Sequence, residues 1–237
     1  MTHTAALAAV LLAAASPLAA QGITGGQLGI EYDAPIDGSD LGGTTYHGGL
    51  EYAFNRAFTA SVNVAGYRLD NIDTSAGNVT LHGTYALDSA ASVGLFVSRD
   101  SLDDTDADAM LYGIEGGTEA YPGLTAGGYI GAVNGDDYDG TIVGIEGDYG
   151  LTPNVSLVGD ADLITGDGVD IGQIALGASY AIASGPTFTA KIGQARIDDG
   201  TTDDSFAFIS VGVDVAFGNQ RGTTFDTRSI FDVLPGF

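Results

Sequence analysis

The chain of 237 residues contains no cysteine and no tryptophan, and has only seven Lys+Arg against 31 Asp+Glu. Without cysteine there is no disulfide-stapled module, no cysteine zinc site, no thiol nucleophile and no lipoprotein anchor. The shortage of bases leaves a formal net charge of −24, and that charge repels a phosphate backbone, which excludes a nucleic-acid binder. After the first twenty residues no apolar run approaches the ~18 residues that a membrane helix needs. No window carries a long helical period either. What the chain does have is 44% hydrophobic residues, 37 glycines, 10 Phe and 11 Tyr, with only 16% charged. A composition this apolar and aromatic excludes a disordered chain, and the acid excess has to be confined to particular places.

Residues 1–20 carry no Asp, Glu, Lys or Arg, and Ala5–Ala15 is an unbroken apolar run. Ser16-Pro17-Leu18-Ala19-Ala20 follows, with the small residues of a cleavage site. This reads as a secretory signal peptide, cut after about Ala20. It departs from the pattern in having only the amino terminus and His3 as its basic start.

The rest alternates with period two. Leu28 and Ile30 lie between Gly29 and Glu31; Leu50, Tyr52 and Phe54 alternate with Gly49, Glu51 and Ala53; Val79, Leu81 and Tyr85 alternate with Thr80, His82 and Thr84. The pattern recurs in Phe58–Val64, Val93–Val97, Met110–Glu115, Leu124–Val133, Gly140–Tyr149, Val155–Leu163, Gln173–Ile182, Thr187–Arg196 and Ser205–Phe217. That predicts about twelve strands of roughly 9–11 residues, the length at which a tilted strand crosses a bilayer.

Connections alternate between short turns (Asn55-Arg56, Asp88–Ala90, Tyr121–Gly123, Leu151–Asn154, Ala183–Pro186) and longer acidic stretches. The longer ones are Asp33–Gly43, Leu69–Gly77, Asp100–Asp108, Asn134–Asp139, Thr165–Asp170 and Ile197–Asp204. An up-and-down antiparallel barrel with one tight rim and one loop rim produces this rhythm. On that barrel Tyr52, Tyr85, Tyr121, Tyr149, Tyr180 and Phe217, with Phe58 and Phe188, gather at the tight rim, and Tyr32, Tyr46, Tyr67 and Tyr112 towards the other. Aromatic rings favour the membrane–water interface. A soluble sheet with a cross-strand aromatic ladder shares the pattern and stays open as an alternative.

Signal segment, alternating strands, short turns and acidic loops together resemble a Gram-negative outer-membrane β-barrel of the porin type. The resemblance covers nearly all of the chain after residue 20 and includes Ile209, Val211, Val213, Val215 and Phe217, a last strand ending in Phe. It implies that Val213, Val215 and Phe217 are the signal read by the barrel-insertion machinery. It also implies an outer-membrane location with lipid bilayer and lipopolysaccharide as surroundings. A tail, Gly218–Phe237, follows that last strand and is itself closed by a Phe. The chain is shorter than the 16-stranded trimeric porins and shows no basic cluster of their kind, so neither trimer interface nor pore size carries over. Monomer and homo-oligomer both stay open.

Sorted on this frame, most acids fall in the loops, nine lie on the strand parity opposite the apolar residues, and Asp88, Asp226 and Asp232 belong to neither. Those inward positions are Glu31, Glu51, Glu115, Glu119, Glu146, Asp148, Asp160, Asp162 and Asp214, joined by His47, His82 and one base, Lys191. They are the expected pore lining. The same parity is rich in glycine, which predicts a narrow water-filled lumen. Its carboxylates would draw cations and small solutes in and repel anions.

No cofactor, metal site or catalytic residue is expected. Asp103–Asp108 and Asp136–Gly140 have the acid density of calcium loops, but the first lacks the glycine and neither has the distal Glu. His47, His82, Ser61 and Glu51 could be drawn as a Ser/His/acid set, yet no nucleophile elbow or oxyanion donor pair accompanies them. The function expected is a cation-preferring diffusion channel. The alternative is a closed structural or adhesive barrel with divalent-binding acidic loops. In the tail, Phe225, Ile230, Phe231, Val233 and Leu234 predict one apolar side of a short helix before Pro235-Gly236, lying under the barrel mouth, entering it as a plug, or extended and disordered in the periplasm.

Overall fold

A strand with one apolar parity buries that side only against lipid or a second layer, and a row of such strands avoids open edges by closing on itself. The computed structural model describes residues 22–36, 42–69, 75–103, 107–135, 138–183, 185–218 and 222–234. The expected signal segment and the loop acids Asp37, Asp40, Asp70, Asp73, Asp104, Asp106, Asp136 and Asp137 lie outside the described residues. The strands are β1 (Gly22–Pro35), β2 (Gly43–Ala53), β3 (Phe58–Leu69), β4 (Ser75–Ala86), β5 (Ala91–Leu102) and β6 (Asp108–Tyr121). They continue with β7 (Leu124–Gly135), β8 (Asp139–Gly150), β9 (Val155–Gly166), β10 (Val169–Ala181), β11 (Thr187–Asp198) and β12 (Asp203–Gly218). Each pairs antiparallel with its neighbours in sequence, and β12 returns to β1, closing a twelve-stranded barrel. The closing register runs from Gly25 opposite Gly218 to Pro35 opposite Phe208.

The apolar parity faces out. Leu95 and Leu176 are 64% and 65% exposed to the surroundings, in a belt with Leu28, Ile30, Leu81, Ile145 and Ile192. In water such a continuous belt would be an aggregation surface; in lipid it is the solvated state. At the tight rim Phe58 meets Tyr85 with ring centroids 4.8 Å apart, and Tyr52 meets Phe54 at 5.1 Å. Tyr67 departs from the expected aromatic rim. Val62 faces out, so Tyr67, on the opposite parity of β3, points inward and is 5% exposed.

The strands run 11 to 16 residues, longer than the apolar alternation alone suggests. They continue beyond the apolar belt, where an acid costs nothing and the backbone ladder still gains hydrogen bonds. Asp33, Asp100, Asp108, Asp139, Asp170, Asp198, Asp203 and Asp204 therefore belong to strands rather than loops. The loops shrink accordingly. Thr165–Asp170 becomes the two-residue hairpin turn Asp167-Gly168, with φ of 40° and 82°, the Asp-Gly type I′ geometry that matches strand twist. On the exposed turn 199–202, the Thr201 and Thr202 amides donate to the Asp199 carboxylate and hold it below the usual carboxylate range.

The inward glycines do not simply leave open space, as the sequence suggests. A Cβ on Gly113 would lie 2.7 Å from the Phe96 ring, one on Gly193 2.4 Å from Phe208, and one on Gly144 2.3 Å from Tyr129. The glycines seat inward rings from neighbouring strands, so the lumen is narrower than a glycine count implies. Gly113→Val would also drive a Cβ to 2.2 Å from the Ile130 carbonyl, whereas outward Gly83 has nothing within 4 Å. Gly113→Val should therefore cost on the order of 1–3 kcal/mol, and Gly83→Val should leave the melting midpoint of the detergent-folded barrel unchanged or raise it, read by circular dichroism and heat-modifiable gel mobility.

Candidate functional site

Where the lumen would be, the chain places its own C-terminal segment. Residues 222–234 enter beside Gly25 at the tight rim and run to the acidic rim. A Cβ on Gly25 would fall 1.9 Å from the Gly222 carbonyl, so only glycine admits the segment there. Thr224 N and Oγ1 both donate to Glu51 Oε2, at 2.9 and 2.6 Å. Asn63 Nδ2 donates to the Phe225 carbonyl at 2.7 Å, and Asn78 Nδ2 to the Arg228 carbonyl at 3.0 Å. Ser229 Oγ and Ile230 N both donate to the Asp100 carboxylate at 2.8 Å. Phe231 stacks on Tyr67 with centroids 5.2 Å apart, and Tyr67 OH donates to Asp232 at 2.7 Å.

Among the described residues of the tail the expected short helix is absent. Barrel side chains occupy the backbone groups that a helix would pair internally, and the apolar residues go to separate places. Phe225 lies against His82 and Gly94. Val233 packs into an inward collar of Leu111, Val133, Ile142 and Ile164, all at 1% exposure or less. Leu234 packs with Ala175, Ala195 and Phe208. Pro235 and Gly236 lie outside the described residues.

Arg228 is the residue that sequence reasoning missed. Its Nε donates to Glu115 Oε2 at 3.2 Å, its Nη2 lies 3.7 Å from Glu146 Oε1, and its guanidinium covers the Tyr129 ring at 4.2 Å. Glu115 Oε1 meets His82 Nδ1 at 2.6 Å, with both of those side chains fully buried. The tail thus supplies a second base beside Lys191, so the lining is not an acid row with one cation. It also supplies Asp226, bonded by Gln27 Nε2, and Asp232. An Arg in the midst of the tail's apolar residues, in a chain with only seven Lys+Arg, was the available signal.

The other expected lining residues fall on the inward parity. Lys191 Nζ bridges Asp160 at 3.2 Å and Glu31 at 3.8 Å. Gln173 donates to Asp160 and Asp162 at 2.8 Å, and Tyr129 OH to Asp162 at 2.7 Å. His47 Nε2 meets Asp214 at 2.6 Å. Glu119 and Asp148 line the tight-rim mouth. The imagined Ser/His/acid set is not assembled: His47 and His82 are taken by Asp214 and Glu115, Glu51 by Thr224, and Ser61 Oγ has no hydrogen-bond partner among the described residues. Of the expected insertion signal, Val213, Val215 and Phe217 share the outward parity, with the Phe217 ring over Gly26.

The tail does not fill everything. A cavity of about 370 Å³ lies along β7–β12 and β1–β3, lined by Glu31, Asp33, His47, Asp162, Gln173 and Asp214 among others. A second, of about 560 Å³, opens at the tight rim. Glu146, Asp160, Lys191 and Asp226 line both.

No family model and no curated protein sequence matches the chain. Among solved structures, the KdgM porin superposes with a TM-score of 0.60 at 12% identity, covering 79% of this chain and 97% of that one. The KdgM porin in complex with disordered oligogalacturonate gives 0.60 at 13% identity with the same coverage. LpxR from Salmonella typhimurium gives 0.50 at 10% identity, covering 79% and 99%. The fold is that of a porin-type outer-membrane barrel. Identities this low speak for the fold alone.

Glu115 keeps its buried charge compensated through Arg228. Arg228→Ala should cost on the order of 3–5 kcal/mol of tail seating. It should speed amide exchange across residues 222–234 by two orders of magnitude or more (~10²–10³) while strand amides stay protected.

Proposed function

We propose that the chain is an outer-membrane channel for passive diffusion of small hydrophilic solutes and ions, with cation preference. The tight rim faces the periplasm and the acidic rim the outside. The observation that carries this reading is the pair of cavities beside the tail, which share Glu146, Asp160, Lys191 and Asp226 as lining. Carboxylates outnumber bases along them, and a narrow low-dielectric passage of that sign concentrates cations and excludes anions. The KdgM porin has been seen with oligogalacturonate, a polyanion. The acids here disfavour such a solute, so the shared fold serves a differently charged one.

A closed structural barrel is the second reading, favoured by the tail that occupies the lumen. Planar-bilayer recording of the full chain separates the two. The channel reading expects ion current with a reversal potential on the cation side under a salt gradient. Glu146→Gln, Asp160→Asn and Asp162→Asn combined should move that potential towards zero. Absence of current, or clear anion preference, would overturn it.

A further inference from the structure

We infer that the C-terminal segment is a releasable plug: a tethered peptide ligand of its own lumen, latched by Arg228 on Glu115 and stoppered by Val233 and Leu234 in the apolar collar. The consequence for flow rests on the channel reading above. The latch itself does not.

The first ground is what the segment leaves untouched. The backbone ladder closes through β1 and β12, from Gly25 opposite Gly218 to Pro35 opposite Phe208. Among the described residues, the tail makes no backbone–backbone hydrogen bond to any strand; its one such bond, Val233 N to Ile230 O, is internal. It adds no strand and completes no edge, so its withdrawal leaves every inter-strand bond in place.

The second ground is the shape and imperfection of its seat. Gly25 and Gly94 yield space to the tail: a Cβ on Gly94 would be 2.9 Å from the Phe225 ring. Yet along the same path Ser61 Oγ and Asn63 Oδ1 are buried with no hydrogen-bond partner among the described residues, and Arg228 Nη2 reaches Glu146 Oε1 only at 3.7 Å. Unmatched polar atoms lower the net gain of docking, because each was hydrated before. The segment is therefore recognised by specific groups without being held as tightly as a core would be. The energetic weight falls on two places: the buried charge pair, and the collar that closes the acidic-rim end. The inferred ligand chemistry is an extended peptide with one arginine and, a few residues on, an apolar pair.

The chain has no cysteine, so a single introduced thiol reports unambiguously. In the full chain, Val233→Cys places one in the collar. A water-soluble maleimide should label it slowly in the folded, heat-modifiable protein. Adding Arg228→Ala should raise the labelling rate about tenfold or more, and Ile230→Pro, which removes both the tail amide donated to Asp100 and a side chain packed against the collar, should raise it as well. In a separate full-chain variant, Gly49→Cys with Thr223→Cys should form a disulfide that ties the entry of the tail, since a Cβ on Gly49 would lie 3.0 Å from Thr223 Cγ2. Oxidation should lower current and reduction restore it severalfold. If the thiol of Val233→Cys reacts equally slowly in the parent, Arg228→Ala and Ile230→Pro backgrounds while all remain folded, the plug is fixed and the inference fails. If labelling follows the latch but no variant ever conducts, the plug stands and the channel reading falls.

Discussion

Everything in this molecule depends on the closure of one hydrogen-bond ladder. In hydrocarbon an unpaired amide or carbonyl finds no water, so a sheet crosses only if it has no edge. The pairing of β1 with β12 removes the two edges that eleven sequential hairpins would leave. Once it is made, period-two alternation becomes a partition of space: odd residues of β12 meet lipid and even ones meet the lumen. The irregular tail is then permitted at membrane depth, because it lies inside the ladder, where side chains and water can satisfy its backbone.

That partition explains how so acidic a chain can be so apolar. The outward parity carries the belt and almost no charge. Apart from Asp88, which caps a tight-rim turn, the described acids sit at the acidic rim or point inward, where partners meet them: Lys191 for Glu31 and Asp160, Gln173 and Tyr129 for Asp162, and Arg228 for Glu115. At the acidic rim Arg99 pairs with Asp108, and Arg196 with Asp198 and Asp203. The few bases are thus spent where two strands' acids would otherwise repel each other.

The barrel was legible because alternation is a local property. A reader of Val79–Tyr85 needs no knowledge of what packs where to assign faces. Strand ends were less legible: hydropathy falls silent beyond the lipid, while the backbone goes on pairing through Asp100 and Asp203. The inward apolar collar also left a trace that alternation obscures. Met110-Leu111, Ile142-Val143, Leu163-Ile164 and Phe208-Ile209 are apolar doublets, each putting one residue on the wet parity and each near the acidic rim. A doublet breaks the pattern only if the lumen is wet at that level; here it is dry because Val233 and Leu234 are there. The path of the tail was illegible for the opposite reason. Its conformation is dictated by residues more than a hundred positions away, such as Glu115 and Asp100, and no local period encodes that.

The arrangement of polar and apolar contacts along the tail follows from where it must travel. A helix would satisfy its own amides but needs a bore about 10 Å wide, which twelve strands with Phe96, Tyr129 and Phe208 turned inward do not leave beside an acid-lined passage. An extended segment is thin enough, but it exposes every amide and carbonyl. The barrel answers with single side chains at successive levels: Glu51, Asn63, Asn78, then Asp100. Each of these is hydrogen-bonded to the tail backbone and would be a costly buried polar group without it. Charge compensation then requires one base at the level of Glu115, and a stopper must be apolar to exclude water at the far end. A segment reading Thr-Thr-Phe-Asp-Thr-Arg-Ser-Ile-Phe-Asp-Val-Leu from residue 223 meets those demands in the order in which the lumen presents them.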